Sequence, residues 1–424
     1  MLIEFEVGNY LSFNKPVRLS MVATNTDKEL LETNTFEAER CRLLRSTAIY
    51  GANASGKSNL ISAMAFMQWF VANSSRETQA QDKIPAIPFK LDYATESAPS
   101  RFETSFLLAG KLYRYGFEAT PDRVTAEWLF RAEKVKEEAL FLRDNDGIDV
   151  RDDFSEGLGL ESKTRDNALF LSVVAQFNGQ LSQAITNWFG RFKTLYGLYD
   201  SRYEDFSALM MLDKQARLSL LKLIQEADLG IEGLDVVEVS EDGGNSTLAA
   251  VAGRVPRGKR FLISSQHRKY RDGQQADLVP MDFLTEESEG TKKFFRIAGP
   301  LLDCIQNGYT VCIDELDAKL HPLLTRAVVR LFNSPVNKNN AQLIFTTHDT
   351  NLLQYGGLRR DQIWFTEKNQ QSATDLYSLA EFKTPVGVKV RNDAAYEKNY
   401  IQGKYGAIPF LGDFGSFLKG TGNE

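Results

Sequence analysis

The stretch Gly51-Ala52-Asn53-Ala54-Ser55-Gly56-Lys57-Ser58 decides the fold class of this 424-residue chain. It matches the pattern G-x-x-x-x-G-K-[ST] at every fixed position. The apolar run Leu43 to Tyr50 predicts a β-strand before it, and apolar residues at helical spacing from Lys57 to about Val71 predict an α-helix after it. In such a loop, backbone N–H groups curl around an anion and the helix N-terminus adds partial positive charge. The stretch therefore predicts a phosphate-binding loop.

The residues of this loop have separate predicted roles. Gly51 to Asn59 are expected to hold a nucleotide, with Lys57 neutralising the β- and γ-phosphate oxygens and Ser58 ligating Mg²⁺. The cofactors implied are ATP and Mg²⁺. The alternative interpretation is a glycine turn that merely joins a strand to a helix.

A second group of metal-holding and catalytic residues is predicted where the apolar run Tyr309 to Ile313 ends in Asp314 and Glu315. At a strand end, Asp314 would hold Mg²⁺ through water, while Glu315 points elsewhere and can polarise the attacking water. An apolar run followed by two acids is common and means little alone. Beside a phosphate loop it predicts a catalytic pair.

A possible anion-binding turn occurs at Ser288-Glu289-Gly290-Thr291-Lys292, which opens a predicted helix. The turn offers a hydroxyl and backbone N–H groups to an anion at a helix N-terminus. A simple helix cap would have the same sequence. Both interpretations stay open on this stretch alone.

A single histidine ends another predicted strand of the core. The strand Gln342 to Thr347 leads into His348, one of three histidines in the chain. At a strand end, this side chain could sense the γ-phosphate and orient the attacking water. The alternative is an ordinary loop histidine.

Taken in order, these motifs resemble the ATPase head of the ABC superfamily. The order is the phosphate loop, a long insertion, the Ser-x-Gly turn, the Asp-Glu pair, a D-loop-like Leu316-Asp317-Ala318 and His348. More narrowly, the chain resembles bacterial abortive-infection ATPases of the AbiLi/RloA type, related to AriA and to OLD-type ATPases. That likeness also rests on Leu320-His321-Pro322, Thr346-Thr347-His348-Asp349 and the tail Tyr400 to Pro409.

The resemblance implies two heads that enclose two ATP molecules in head-to-tail orientation. The signature residues would contact the γ-phosphate bound by a second subunit, and Asp317 would lie across that interface; the signature set is Ser288, Gly290, Thr291 and Lys292. Glu315 and His348 would be catalytic in each site. The signature differs from the Leu-Ser-Gly-Gly-Gln of transporters, and whether Lys292 or Lys293 also reaches phosphate is open.

The predicted fold class is α/β, an ABC-type P-loop ATPase head with a mixed sheet, an antiparallel β subdomain and an inserted helical lobe. Residues 1–135 form the predicted N-terminal lobe and 136–233 the helical lobe, with helices over 166–190, capped by Asp166, and from Asp213. Residues 234–380 form the predicted C-terminal lobe. Residues 381–424 are a predicted tail for partner docking or oligomer contacts.

Composition limits the partners and the compartment. The chain has 50 Lys and Arg against 56 Asp and Glu, a net charge of −6, which argues against a surface built to coat nucleic acid or lipid. Three cysteines without Cys-x-x-Cys spacing indicate neither disulfides nor zinc. An acidic N-terminus and the lack of a long apolar stretch predict a cytoplasmic protein without a membrane partner. A basic stretch, Arg254 to Arg271, is either a nucleic-acid face or a solvated β-hairpin.

We therefore predict an ATP-hydrolysing sensor of an anti-phage abortive-infection system. It would form a homo-dimer or higher homo-oligomer and control a separately encoded effector, a nuclease or toxin of the RloB or Toprim kind. DNA or a phage protein would be the trigger. The 76 residues that follow His348 leave little room for a fused nuclease, so the effector is expected from a neighbouring gene. The alternative is a RecF-like clamp for DNA repair or recombination.

Overall fold

The computed structural model describes residues 1–133, 136–197, 202–240, 259–354, 357–383, 387, 390–391 and 394–409. Two large β-sheets and the helices between and around them form the core. The predicted α/β class, a core sheet with a separate antiparallel sheet beside it, is confirmed.

The strands within these ranges are, in chain order, β1 (Leu2–Gly8), β2 (Val17–Ser20), β3 (Thr35–Glu37), β4 (Arg42–Leu44), β5 (Ser46–Gly51), β6 (Ser100–Leu108), β7 (Lys111–Ala119), β8 (Val124–Glu133), β9 (Lys136–Asp144), β10 (Gly147–Val150), β11 (Phe192–Tyr196), β12 (Gly233–Ser240), β13 (Lys259–Arg271), β14 (Gln274–Asp282), β15 (Thr310–Asp314), β16 (Gln342–Thr346), β17 (Ile363–Lys368) and β18 (Thr374–Ser378).

The α-helices are α1 (Leu31–Asn34), α2 (Lys57–Asn73), α3 (Tyr93–Glu96), α4 (Phe170–Gln176), α5 (Gln180–Gly190), α6 (Arg202–Met210), α7 (Lys214–Glu226), α8 (Phe283–Glu286), α9 (Glu289–Asn307), α10 (Pro322–Phe332), α11 (Asn351–Gln354) and α12 (Tyr396–Ile401). Short 3₁₀ helices occur at Asp152–Gly157, Glu161–Lys163 and Arg360–Gln362. Within the described ranges no helix combines the length and the apolar character needed to cross a bilayer.

A six-stranded sheet carries the predicted nucleotide motifs. Its order is β11-β15-β16-β5-β17-β18, and every pairing is parallel except that of β17 with β18. Helices cover both faces, which explains why β5, β15 and β16 are near-continuous apolar runs rather than alternating ones. Because parallel strands all end at the same edge, Gly51, Asp314 and Thr346 lie along one border of the sheet.

A seven-stranded antiparallel sheet lies beside the first, in the order β10-β9-β8-β7-β6-β1-β2. Strands β6 and β7 form a hairpin around Ala109-Gly110. Both residues have positive φ, 47° and 80°, as a two-residue hairpin turn requires. Helix α2 lies between the two sheets, since Leu60 and Met64 belong to one buried cluster with Phe102 of this sheet and Ile344 of the other.

The predicted helical lobe, residues 136–233, is not purely helical. Strands β9 and β10 extend the antiparallel sheet, and β11 forms an edge of the parallel sheet. The helices predicted over 166–190 are α4 and α5, which a turn at Asn178 separates, but the predicted cap is wrong, because Asp166 does not cap α4. The N–H groups of Phe170 and Leu171 donate instead to the buried carboxylate of Glu127, at 2.6 and 3.0 Å.

Two predictions on the later part of the chain have different outcomes. Helix α7 begins after Asp213, as predicted, and the Asp213 side chain accepts from the N–H groups of Gln215 and Ala216. A three-stranded sheet, β12-β13-β14, contains the second half of the basic stretch. The first half, through residue 258, lies outside the described residues.

Two described segments far apart in sequence are tied to the parallel sheet. The Gln342 side chain accepts from the Leu2 N–H at 2.7 Å and donates to the Leu2 carbonyl at 3.0 Å. Within residues 394–409, Tyr400 and Tyr405 are buried in the cluster that covers one face of β5 and β17. Strand β5 thus lies between two strands that follow it by about three hundred residues, and the chain crosses the sheet repeatedly.

Candidate nucleotide site

Close packing dictates the glycines of the phosphate loop. The loop leaves β5 at Gly51, and Gly56, with φ of 110°, precedes α2. A Cβ on Gly51 would lie 2.5 Å from the Thr366 carbonyl oxygen, and one on Gly56 would lie 2.2 Å from Thr374 Oγ1. Gly56 also has a backbone conformation that other residues rarely adopt. Both positions therefore require glycine.

Strands β17 and β18 support the loop from the side. The Ser55 and Thr366 hydroxyls lie 2.6 Å apart, and the Thr374 hydroxyl lies 2.8 Å from the Ser55 carbonyl. Asn59 donates to the Ser12 hydroxyl at 2.7 Å. Sequence reasoning missed Thr366 and Thr374, because nothing local marks two threonines more than three hundred residues from the motif. The exposed loop residues are Asn53, Ala54 and Ser58.

Lys57 is held by the loop that it follows. It is 6% exposed, and its Nζ donates to the carbonyls of Gly51 at 2.8 Å and Ala52 at 3.0 Å. Burial lowers the pKa of Lys57, while the negative charges of Asp314, Glu315 and Asp317 oppose that shift. The lysine predicted from the phosphate loop and the acids predicted from the later strand therefore belong to one electrostatic site.

A threonine joins the two acids. The Thr346 hydroxyl donates to Asp314 Oδ1 and accepts from the Glu315 N–H, both at 2.7 Å. Glu315 has φ of 53°, a left-handed conformation that is costly for a side-chain-bearing residue and often occurs at functional sites. Thr346, at the end of β16, was quoted in the sequence motif but not assigned this role.

Gly197 fixes the turn of Asp314 and Glu315 from the side opposite Thr346. Its N–H donates to the Asp314 carbonyl at 2.8 Å, and a Cβ there would lie 2.5 Å from the carbonyl oxygens of both Asp314 and Glu315. Lys293, which is buried, donates from Nζ to the Gly197 carbonyl at 2.8 Å. The turn that carries both acids is therefore fixed by β11, β16 and α9. No local pattern marks Gly197 for this role.

His348 lies at the same edge of the sheet and is exposed. The backbone N–H of His348 donates to the Asp317 carboxylate, at 3.3 Å from each of its oxygens. Desolvation and the positive charge of Lys57 lower the pKa of His348, against the opposing charges of Asp317, Glu315 and Asp314. The imidazole is therefore biased toward its neutral form.

The signature turn is a capped helix start. The Ser288 hydroxyl accepts from the Thr291 N–H at 3.1 Å, and the ideal Cβ of Gly290 would lie 3.1 Å from the Lys319 carbonyl. Lys292 donates to the Leu284 carbonyl at 3.0 Å and pairs with Glu289 at 2.7 Å. Since Lys293 also binds within the chain, both lysines left open by the sequence are engaged by their own subunit.

The structure brings some predicted site residues together and leaves others apart. The phosphate loop, Asp314, Glu315, Asp317 and His348 share one edge of the sheet. Among the described residues, no hydrogen bond or ion pair joins the signature turn, residues 288–292, to residues 51–59. Ser288 and Glu289 are exposed to solvent.

The donor set fits Mg²⁺ bound together with phosphate. Among the described residues there is no cluster of three or more His, Cys, Asp or Glu side chains that could hold a metal alone. Mg²⁺ is commonly held by one or two protein oxygens together with substrate phosphates and water. Ser58, at the first turn of α2, and Asp314, at the end of β15, supply such oxygens.

Residues 46–354 match the family model described as "AAA domain, putative AbiEii toxin, Type IV TA system". The chain belongs to this AAA domain family. The matched range of the AAA domain begins with β5 and ends with α11, so it includes the phosphate loop, the signature turn, both acids and His348.

Two solved structures are similar to this chain, each at low sequence identity. One is the SMC head domain from Thermotoga maritima, with a TM-score of 0.40 and 14% identity over 89% of this chain and 98% of that one. The other is the SmcHead bound to the C-winged helix domain of ScpA, with a TM-score of 0.41 and 14% identity over 89% and 97%. None of the curated proteins compared with the chain matches it.

Proposed function

We propose that this AAA domain protein binds ATP with Mg²⁺ and hydrolyses it to ADP and phosphate. One observation carries the proposal: the phosphate loop, the Asp314-Glu315 pair and His348 lie together at the carboxyl edge of one parallel sheet. Ligands of open α/β sheets bind at that edge. Phosphoryl transfer depends mainly on positioning and electrostatic stabilisation, which these groups can supply.

Each residue has a defined part in the proposed reaction. Lys57 and the N-terminus of α2 bind the β- and γ-phosphates, and Ser58 and Asp314 hold Mg²⁺, which neutralises charge on the phosphate oxygens when bound. Glu315 polarises the attacking water, and neutral His348 donates a hydrogen bond toward the γ-phosphate. The Thr346 hydroxyl holds both acids in register.

We infer that the complete site forms between two copies of the chain, arranged head to tail as in ABC-type heads. Two features support this inference. Ser288 and Glu289 of the signature turn are exposed, and no described contact joins that turn to its own phosphate loop. A signature supplied by a second copy would complete the site, giving a homo-dimer or a larger ring with the same contact.

A complementation experiment tests this arrangement. Lys57→Ala removes the phosphate-binding cation from a subunit's own site, whereas Ser288→Arg blocks the site of its partner. Each variant alone should lack ATPase activity, but a mixed dimer keeps one intact site. Mixing and reassembling equal amounts should therefore restore roughly a quarter of the parent activity, by the symmetry of the interface.

The control is a chain that carries both Lys57→Ala and Ser288→Arg. It is mixed with the parent protein, so that every mixed dimer has one defect in each of its two sites. Activity in that mixture should come from parent homodimers only. If the two single variants stay inactive when mixed, although subunit exchange is demonstrated, the head-to-tail arrangement is wrong.

We further propose that the ATPase acts as a sensor or regulator in an anti-phage abortive-infection system and controls a separately encoded effector, a nuclease or toxin. The family description, with its AbiEii toxin and toxin–antitoxin terms, supports this role. The test is co-expression with the product of the neighbouring gene under phage challenge. Protection that needs both genes and is lost with Lys57→Ala is the expected result; equal protection by that variant contradicts the proposal.

A DNA clamp is the second candidate. Lys269, Tyr270 and Arg271 are exposed near the tip of the β13–β14 hairpin, as a nucleic-acid contact would require. ATP hydrolysis stimulated by double-stranded DNA without any partner, and abolished by Lys269→Glu with Arg271→Glu, would favour the clamp. Hydrolysis that is indifferent to DNA favours the regulator.

A further inference from the structure

The C-terminal segment, residues 394–409, packs against the nucleotide edge of the sheet. It contains α12 and a turn with three left-handed residues, Gly403, Gly406 and Ala407. The segment was predicted as a docking tail. Its contacts reach the residue just before the phosphate loop and a residue just after His348.

Tyr400 contacts the entrance of the phosphate loop. Its ring stacks on Phe365 with centroids 5.3 Å apart and meets Tyr50 edge-on at 5.7 Å. Its hydroxyl donates to the Ala407 carbonyl at 3.2 Å. Burial raises the pKa of Tyr400 to about 12, so the hydroxyl stays protonated and keeps this donor role.

Glu397 contacts the loop that carries the histidine, residues 347–351, which we call the switch loop. The Thr350 hydroxyl donates to Glu397 Oε1 at 2.9 Å, two residues after His348. The Tyr50 hydroxyl donates to the Asp349 carbonyl of the same loop at 3.2 Å. Tyr50 therefore connects the phosphate loop, the switch loop and α12 within one buried cluster.

The segment is itself held firmly by hydrogen bonds and packing, so it can position the phosphate loop and the switch loop. The Tyr377 hydroxyl of β18 donates to the Tyr405 carbonyl at 2.7 Å, and Asn399 donates to the Tyr405 hydroxyl at 3.0 Å. A Cβ on Gly406 would lie 2.5 Å from Glu367 Oε2 of β17. The turn is thus held by the two strands that also support the phosphate loop through Thr366 and Thr374.

We propose that Glu397 and Tyr400 are positioning residues for ATP hydrolysis. Glu397, acting through Thr350, fixes the switch loop so that His348 meets the γ-phosphate. Tyr400 packs against Tyr50 and so fixes the strand residue that leads into the phosphate loop. This inference rests on the proposed ATPase function and deepens it. A displacement of reacting groups by about 1 Å can cost a hundredfold in rate, so such second contacts can control turnover.

A double-mutant cycle tests the Glu397 part. Thr350→Val and Glu397→Ala each remove one partner of the hydrogen bond, and each should lower kcat about three- to tenfold with an unchanged KM for ATP. The double variant should lose no more than either single variant, because both act through one interaction. Gln402→Ala, an exposed position in the same segment, is the control and should match the parent.

Tyr400→Phe tests the second part. It keeps the ring but removes the hydroxyl, so the dissociation constant and KM for ATP should rise about three- to tenfold while kcat at saturation stays close to that of the parent. A purely structural role would instead lower kcat, ATP affinity and Tm together in all these variants. Parent values of kcat and KM in Thr350→Val, Glu397→Ala and Tyr400→Phe would overturn the inference.

The results distinguish failure of the proposed ATPase function from failure of the proposed positioning roles. A parent protein that binds ATP but does not hydrolyse it would contradict the proposed function, and the ATP affinity of Tyr400→Phe would still test whether Tyr400 positions the entrance of the phosphate loop. A parent that hydrolyses ATP at the same rate as all three variants contradicts only the positioning roles. Titration with a fluorescent ATP analogue gives the affinities, and phosphate release gives kcat and KM.

Discussion

At the scale of single residues, one hydroxyl organises both acids of the nucleotide site. Thr346 donates to Asp314 and accepts from the N–H of Glu315, whose backbone is left-handed. Such a conformation persists only where the surroundings over-determine it, and here Thr346 and Gly197 do so from opposite sides. The orientation of the proposed water-polarising group therefore depends on a residue that does not touch substrate.

Thr346→Val removes the hydroxyl but keeps the size of the side chain, so it tests the hydroxyl alone. The substitution leaves the partly buried Glu315 N–H without its acceptor, which should cost about 1 kcal/mol in the free energy of unfolding. We also expect kcat to fall at least several-fold, since both acids lose their restraint. Denaturant unfolding and phosphate release measure the two effects.

Thr346→Ser is the matched control, because it keeps the hydroxyl and loses only a methyl group. It should retain most of the activity. If Val and Ser substitutions lower kcat equally, the hydroxyl does not have the role assigned to it.

At the scale of secondary-structure elements, the sequence predicted those parts of the site that local patterns encode. The strand, glycine loop and helix around Lys57 follow from periodicity and a specific motif. Asp314 and His348 were found because each ends an apolar strand. Parallel strands then bring their ends to one edge without further information.

Contacts between elements distant in sequence could not be predicted in this way. Thr374 packs on Gly56 across more than three hundred residues, and Glu127, on a strand, takes the capping role that local preference gave to Asp166. The strands within the predicted helical lobe were missed for a related reason. Their partners lie in other parts of the chain, so pairing outweighs local propensity.

Gly197, at the end of β11, gives a prediction at this scale. Gly197→Ala would press a methyl group against the carbonyls of Asp314 and Glu315 and shift the turn between β15 and α10. We expect kcat to fall by about tenfold or more and stability to fall by about 1–3 kcal/mol, as for overpacking of a tight core. Both are measured on the purified variant by ATP turnover and thermal unfolding.

Gly190→Ala provides the comparison for this change. Gly190 ends α5, and a Cβ there would meet nothing within 4 Å. That substitution should leave turnover unchanged and have little effect on stability or raise it slightly. Equal losses of turnover and stability in Gly190→Ala and Gly197→Ala would show that the contact of Gly197 with the turn of Asp314 and Glu315 is not the cause.

At the scale of the whole molecule, the active unit is expected to contain more than one chain. The exposed residues Ser288 and Glu289 of the signature turn and the exposed His348 are on the surface that a second copy would cover in the head-to-tail arrangement. In that case nucleotide occupancy and subunit association are linked. A ligand that binds only at the shared interface stabilises the dimer by its own binding free energy.

Glu315→Gln should make this linkage visible. It removes the group that polarises water but leaves Lys57 and Asp314 intact, so ATP should bind while turnover falls by at least about a hundredfold. The variant should then accumulate as an ATP-bound dimer, whereas the parent exchanges between states. Light scattering coupled to gel filtration, with and without ATP and Mg²⁺, measures the mass.

Glu32→Gln, on the exposed surface of α1, is the control for loss of one negative charge. It should behave as the parent does. A Glu315→Gln protein that hydrolyses ATP normally would contradict the assigned role of Glu315, and one that stays monomeric in saturating ATP would contradict the proposed linkage.

The position of β5 has a consequence for biosynthesis. Both neighbours of this strand, β16 and β17, leave the ribosome roughly three hundred residues after it, and Gln342 secures the amino terminus only then. Non-local pairing of this kind forms late and slowly. A nascent or prematurely terminated polypeptide that lacks β17 would contain the entire glycine-rich motif without its lateral support. Synthesis must therefore have passed β17 before the proposed ATPase is competent, and products truncated before β17 should be inert toward the nucleotide pool.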